Sequence, residues 1–335
     1  MINVMFRRLF TTTIRNPHDN PLGLPKNNSR PAPQIPRRAG GIEPKRSIPN
    51  VHHVLLVSSC KGGVGKSTIA ANVATALSLL PSRRLRVGLL DLDIFGPSIP
   101  TLMGLKHAQE PEVSTSSGAL LPVTNHAVPT MSMAYLLPRS QGSQEDTPVV
   151  WRGLMVQKAV QQLLFQVDWS FEGKYPPLDV LVVDLPPGTG DIPLSVGQLV
   201  KVDGTILVST PQDVSLSDTR RGISMLRKLE IPLTGIVLNN AYYLCPTCKD
   251  PNPQYIFGPP ASFHNTARSL SLPVLAELPL VPGVSISGDR GVPYMLIASQ
   301  DEDGKGSTQW RDRMKAVVSQ TWEDIQAKRK ARESS

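Results

Sequence analysis

Eight consecutive residues, Cys60-Lys61-Gly62-Gly63-Val64-Gly65-Lys66-Ser67, bring together three glycines, two lysines and a hydroxyl. Such a set is suited to gripping a polyphosphate. Counted from Cys60, the run fits the pattern G-x-x-x-x-G-K-S/T at every position but the first. Gly62, Gly63 and Gly65 carry no Cβ, so successive backbone N–H groups can turn inward around phosphate oxygens. Lys66 then reaches the β and γ phosphates of a nucleotide and Ser67 offers its hydroxyl to Mg2+, with Val64 and Thr68 completing the loop. Cys60, where glycine normally opens the pattern, reads as a small buried hydrophobe rather than a third metal ligand.

Carboxylates and thiols supply two further chemistries. Asp91 and Asp93 are two residues apart and share a face while the chain stays extended, so either can orient a water or reach a metal. Asp184 ends a strongly apolar run and precedes Leu-Pro-Pro-Gly-Thr-Gly, which suits an outer ligand of Mg2+ followed by a loop that senses the γ phosphate. Cys245 and Cys248 form C-x-x-C, and Cys60 is the only other cysteine. One chain therefore cannot assemble a four-cysteine site unaided. The same pair from a twofold-related subunit would complete four ligands for Zn2+ or for a four-iron, four-sulfur (4Fe-4S) cluster. A redox dithiol is the alternative, although a thioredoxin-like setting is missing.

These residues need strands that end where the chemistry starts. Val54–Val57, Leu85–Leu90, Val180–Val183, Thr205–Val208 and Ile236–Leu238 are short apolar runs of the kind buried on both faces of a parallel sheet. Ile69, Val73, Leu77 and Leu80 recur on one face after the glycine loop, predicting a helix that Pro81 stops. Further helices are predicted near 151–166 and 215–230. Residues 106–148 lack periodicity and read as loops and short strands over the sheet edge, and 301–309 as a linker. Beyond it, Trp310, Met314, Val317, Thr321, Trp322 and Ile325 form an apolar stripe on a last helix. That stripe either packs on its own domain, docks a partner, or makes weak contact with a membrane surface through its tryptophans and the basic Lys328, Arg329, Lys330 and Arg332. The fold class is α/β, with a mostly parallel central sheet flanked by helices.

At 335 residues and 40% hydrophobic content the chain can bury a large core. Its formal charge of +8 is uneven. Residues 1–50 hold nine Lys and Arg against Asp19 and Glu43, a net of +7, which leaves about +1 for the rest and no general pull toward nucleic acid. The first fifteen residues are Arg-rich, hydroxyl-rich and free of acid, as in a mitochondrial presequence directing the chain to the matrix; a plain basic arm is the other reading. Eight of the 32 prolines fall within 17–49, the mark of an extended linker. The organisation expected is a leader and linker over 1–50, an ATPase domain over 51–300, and a linker with a terminal helix over 301–335.

Lys61 resembles the signature lysine of the deviant Walker A, or SIMIBI-class, P-loop proteins. Within that class residues 51–298 are similar to the Mrp/ApbC iron–sulfur scaffold ATPases through KGGVGKST (61–68), DLDIFGPSIP (91–100), PVVWRGLMVQKA (148–159), DLPPGTGD (184–191), TPQDV (210–214), CPTC (245–248), IFG (256–258) and GDRGVP (288–293). The leader, with NPLGLPK (20–26) and PQIPRR (33–38), narrows the resemblance to the mitochondrial NUBPL type, implicated in assembling respiratory complex I. The resemblance implies a homodimer that binds ATP and Mg2+, hydrolyses ATP slowly, and passes a labile 4Fe-4S cluster to apo iron–sulfur proteins, complex I subunits among them. It assigns Lys61 to the partner's nucleotide across the dimer, Asp93 to the attacking water, Asp184 to Mg2+ and Asn239 to adenine. Cys245 and Cys248 would hold the cluster with their symmetry mates. Leu238 and Asn240 depart from the Glu and Met that usually flank the asparagine, and Pro259-Pro260 stands where glycines are usual. A ParA/MinD-like positioning ATPase shares the loop and Lys61 but leaves C-x-x-C without a role; a zinc-stapled dimer gives the cysteines a purely structural one.

Overall fold

The computed structural model describes residues 44–81, 84–94, 96–108, 110–136, 153–248, 252–297 and 304–333. The leader and most of its linker, and the first residues of the 148–159 segment, lie outside them. From Pro44 onward the chain forms one compact unit.

Eight strands make one sheet in the order β3-β4-β2-β5-β1-β6-β7-β8. They are β1 (Val51–Ser59), β2 (Val87–Asp91), β3 (Val123–Asn125), β4 (Val128–Ser132), β5 (Leu178–Asp184), β6 (Gly204–Ser209), β7 (Gly235–Leu238) and β8 (Val274–Glu277). Every pairing is parallel except β3 with β4. The helices are α1 (Lys66–Ser78), α2 (Ile99–Leu102), α3 (Gly153–Phe165), α4 (Asp191–Leu199), α5 (Asp213–Lys228), α6 (Ala261–Ser269), α7 (Pro282–Asp289) and α8 (Gly304–Glu333). The apolar runs of β1, β2 and β5 are buried on both faces, as their composition predicts. The register sets Asp184 beside Val57 of β1 and Asp91 of β2, so three neighbouring strands end at one level.

Helix α1 is buried almost all round, because four alanines among its thirteen residues let it lie between the sheet, α2 and α8. The chain joins the fold before β1: Arg46 pairs with Val200 and Ile48 is buried.

Two expectations are corrected. The region 106–148 contains more than edge structure, since β4 is an interior strand with all five residues buried. Its sequence, Val-Pro-Thr-Met-Ser, packs on both faces and so lacks alternation, which hid it. The stretch 301–309 is not all linker: α8 already runs from Gly304. All six residues of the predicted C-terminal stripe are buried against the body, where α8 meets α1, β6 and β8. Trp310 and Trp322 are thus spent inside the fold rather than free for a lipid surface. No helix among the described residues is long and apolar enough to cross a membrane.

Because Met314 is fully buried on the inner face of this helix, Met314→Ala should cost about 2–5 kcal/mol of stability in urea unfolding. A loss below about 1 kcal/mol would mean that α8 is not docked as described.

Candidate functional site

The glycine loop runs between Ser59 at the end of β1 and Lys66 at the start of α1. Gly65 caps the helix in the left-handed region (φ 85°), and a Cβ there would lie 2.4 Å from the Asn239 amide nitrogen. Only glycine suits both the dihedral and the contact. Asn239, just past β7, donates from Nδ2 to the Val64 carbonyl (2.9 Å) and so pins the loop. The Ser59 hydroxyl donates to the Lys61 carbonyl, and the Gly188 N–H of the Pro-Pro-Gly loop donates to the Ser59 carbonyl. No side chain caps the first turn of α1 and no acid sits in it, so its N–H groups face the cavity open to an anion.

Lys66 is the centre of the charge arrangement. Its ammonium donates to Asp184 Oδ1 at 2.6 Å and to Ser67 Oγ at 3.2 Å, and lies 3.7 Å from Asp93 Oδ2. Burial pushes the Asp184 carboxyl upward while Lys66 and Ser67 pull it back. Its other oxygen, Oδ2, is buried without a hydrogen-bond partner, an acceptor that fits a hard cation with the nearby Ser67 hydroxyl. Asp91 is fully buried and is raised to about 8, first by desolvation and then by the charge of Asp184. Both Asp91 oxygens are engaged, one accepting from the Asp93 N–H and the other from the Ser132 hydroxyl, each at 2.9 Å. Asp91 is therefore a brace. Asp93 is the member of the pair that borders the cavity.

That cavity, about 420 Å3, is bounded by the glycine loop, Ser67, Asp93 and Pro187, with Lys61 exposed at its rim. A second, of about 410 Å3, shares Gly63, Gly65 and Thr68 with it and continues over Asn239, Leu280, Val281 and Trp310. The first is lined by the charged Lys61, Lys66 and Asp93, which suits phosphates; the second has no charged residue in its wall and adds Ile69, Leu280, Val281 and Trp310, against which a flat base could lie. A larger hollow of about 550 Å3 between α4 and α5, lined by Arg220, Arg221 and Lys228, shares no residue with either.

Cys60 packs against α5, its Sγ 3.8 Å from the Thr219 carbonyl, and a Cβ on Gly222 would come within 2.2 Å of that sulfur. Its backbone stays out of the left-handed region, so the missing glycine causes no strain. Cys245 and Cys248 lie on the connection that leaves β7 through Asn239. Cys245 is half-buried and Cys248 exposed. Hydrogen bonding to the Cys248 thiol first, and then to Thr247, draws the Cys245 thiol down to about 7, near neutral pH. Among the described residues no group of three or more His, Cys, Asp or Glu could hold a metal ion.

Residues without an obvious motif complete the frame. Asn72 donates to the Thr68 carbonyl and accepts from the Met295 N–H, tying α1 to the turn at Tyr294–Leu296. An asparagine at the centre of an alanine-rich helix, between Ala71 and Val73, was a signal for it. Nothing in the pattern of α8 marks Trp310 as a wall of the base chamber.

A protein-family model described as ParA, NUBPL iron-transfer P-loop NTPase, matches residues 50–317. A Dictyostelium discoideum protein named iron-sulfur cluster transfer protein NUBPL is 38% identical over 325 residues, 94% of each chain. An Arabidopsis thaliana protein named iron-sulfur protein required for NADH dehydrogenase, mitochondrial, is 40% identical over 258 residues, 77% of this chain and 76% of its own. Among solved structures, a nucleotide-binding protein from Archaeoglobus fulgidus in complex with ADP matches with a TM-score of 0.58 at 32% identity, over 72% of this chain and 87% of its own.

Asp91 holds its proton in the fold up to about pH 8 but loses it in the unfolded chain near the usual carboxylate value, so its burial makes stability fall as pH rises between about 4 and 8. Asp91→Asn keeps an acceptor for the Asp93 N–H and turns an amide donor toward the Ser132 oxygen, reversing that bond without breaking it. Its melting temperature should gain on the native protein's steadily between pH 5 and 8.5, and an unchanged gap across that range would show that Asp91 does not titrate as described.

Proposed function

The chain belongs to the ParA-type NUBPL iron-transfer P-loop NTPases, and we propose that it works as a homodimeric, ATP-dependent carrier that holds a labile 4Fe-4S cluster between its subunits. Nucleotide hydrolysis is the activity of such a P-loop NTPase family. The observation that carries the cluster reading is the cysteine pair, Cys245 half-buried and Cys248 exposed, on the chain segment that also supplies Asn239 to the second chamber. Two thiols leave a four-ligand cluster half held, so a second copy must bring the rest. Tyr255 and Ile256, just beyond the cysteines, and Leu154 and Met155 at the start of α3 are apolar residues left in solvent, as a self-complementary interface needs.

The residues divide the work as follows. As phosphates enter, Lys66 exchanges Asp184 for the β and γ oxygens. Asp184 and Ser67 would hold Mg2+, which would supply neutralisation of phosphate charge. Asp93 orients the attacking water. Lys61, at the rim, reaches the nucleotide of the partner subunit, so that ATP draws two copies together. Asn239 sets the loop and borders the base. Cluster grip then follows subunit geometry, which nucleotide occupancy biases.

The cargo's recipients are mitochondrial apo-proteins, respiratory complex I subunits among them. The relatives' names and the basic leader support that reading, and the leader supports delivery to the matrix. The near-neutral charge after the leader gives no ground for nucleic-acid binding. The organisation into leader, ATPase domain and terminal helix stands as part of this proposal.

Anaerobic reconstitution tests the cargo. The native protein should take up a brown cluster with broad visible absorption, Cys245→Ala and Cys248→Ala should lose it while still binding nucleotide, and Cys60→Ala should keep it. A colourless zinc-loaded dimer would replace the carrier with a structural staple. On the nucleotide side, Lys66→Ala should weaken ATP binding by at least about tenfold, roughly 1.4 kcal/mol. Lys61→Ala should spare affinity and lose turnover; equal losses of affinity in both variants would remove Lys61 from the cross-subunit role.

A further inference from the structure

The base chamber and the cysteine loop touch the same stretch of one helix. Trp310 of α8 lines the chamber, as does Val281. One turn earlier, Gly306 lies between Val281 and Leu244: a Cβ there would stand 3.6 Å from Val281 Cγ2 and 4.0 Å from Leu244 Cβ. At the helix start, a Cβ on Gly304 would come 3.0 Å from the Cβ of Pro246, the residue after Cys245. Tyr242, three residues before Cys245, donates its hydroxyl to Gln309 Oε1 at 2.8 Å, and Arg313 stacks over its ring while bonding the Glu277 carbonyl.

We infer that the start of α8, Gly304–Arg313, transmits nucleotide occupancy of the base chamber to the cysteine pair, with the Tyr242–Gln309 hydrogen bond as its positioning contact. This rests on the carrier reading above and adds to it the internal route between its two sites. A helix is stiff over three turns, so a displacement at one point is felt at the others. Trp310 cannot yield independently: its ring packs edge to face on Tyr294 (5.4 Å), whose hydroxyl is bonded to Ser307 on the same helix at 2.7 Å. When a base fills the chamber and presses on Trp310 and Val281, the helix start moves against Leu244 and Pro246. The bare glycines at 304 and 306 leave backbone close to that loop without side chains to lock it. Tyr242 and Gln309 keep the loop in step with the helix, because their bond joins the chain just ahead of Cys245 to the residue beside Trp310.

The test uses the full apo chain, iodoacetamide as a probe of Cys245, and Mg-ADP as the nucleotide, since ADP lacks the γ phosphate that would draw two copies together. In the native protein, saturating Mg-ADP should change the alkylation rate of Cys245 by about fivefold or more, the usual lower range for coupled sites. Gln309→Ala, at an exposed position, and Tyr242→Phe, which loses only a hydroxyl, should reduce that response to less than about twofold. Their ADP affinity, and their alkylation rate without nucleotide, should stay within about twofold of native, which separates lost coupling from lost structure. Gly306→Ala, whose methyl fits in ordinary contact between Val281 and Leu244, should respond at least as strongly as the native chain. An unchanged response in both hydrogen-bond variants, a diminished response in Gly306→Ala, or no response in the native protein would overturn the link. A protein that takes up the cluster yet shows no ADP response overturns this inference alone; cysteines that take up no cluster overturn the carrier reading instead.

Discussion

A single buried ammonium, that of Lys66, organises the site. It is held by Asp184 and stands close to Asp93, with Asp91 behind. A charge in that position is tolerable only if it is paired, and removing one partner of such a pair costs about 3–5 kcal/mol. In the mechanism proposed above the pairing is replaceable, because phosphate oxygens would offer Lys66 an equivalent partner and leave Asp184 to a cation. The same demand explains Asp91. With one lysine among three carboxylates, full ionisation would leave excess negative charge in a dry place, and Asp91 keeps its proton while both of its oxygens are used as braces.

The sheet exists around this arrangement in a literal sense. Strands β2, β5 and β1 lie side by side, and their ends deliver Asp91, Asp184 and the glycine loop to one level. None of these residues is near another in the chain, and only the parallel order β2-β5-β1 makes them neighbours. The alanine-rich α1 is the other half of the condition, since a bulkier helix could not sit deep enough to aim its N-terminus at the phosphates.

The second theme is economy of connection. The segment leaving β7 passes from Asn239, which pins the glycine loop, to Cys245 and Cys248 within ten residues. Helix α8 covers the same region from the outside, walling the base chamber with Trp310 and meeting the cysteine loop at Gly304 and Gly306. A terminal helix of thirty residues reads in isolation as an amphipathic accessory. In place it walls, through Trp310, a cavity that begins at the glycine loop.

Much was legible in the linear chain, and the reasons are local. The glycine loop, the strands that read as unbroken apolar runs, α1 and the C-x-x-C pair each declare themselves through residue type at fixed spacing, because backbone dihedrals, burial on two faces and thiol ligation act over a few residues. Strand β4 stayed hidden because a strand packed on both faces by Val, Met, Thr and Ser has no alternation to detect. The choice between Asp91 and Asp93 was equally out of reach, for a spacing of two cannot say which carboxylate finds a serine on the neighbouring strand. So too with Gly222, whose missing side chain makes room for a sulfur more than 150 residues away. The sequence by itself determined the chemical parts and the elements that carry them. The tertiary structure decided which acid is a brace and which faces the cavity beside the glycine loop, and that the last helix packs inward, because those outcomes depend on contacts between segments whose separation along the chain holds no record of their meeting.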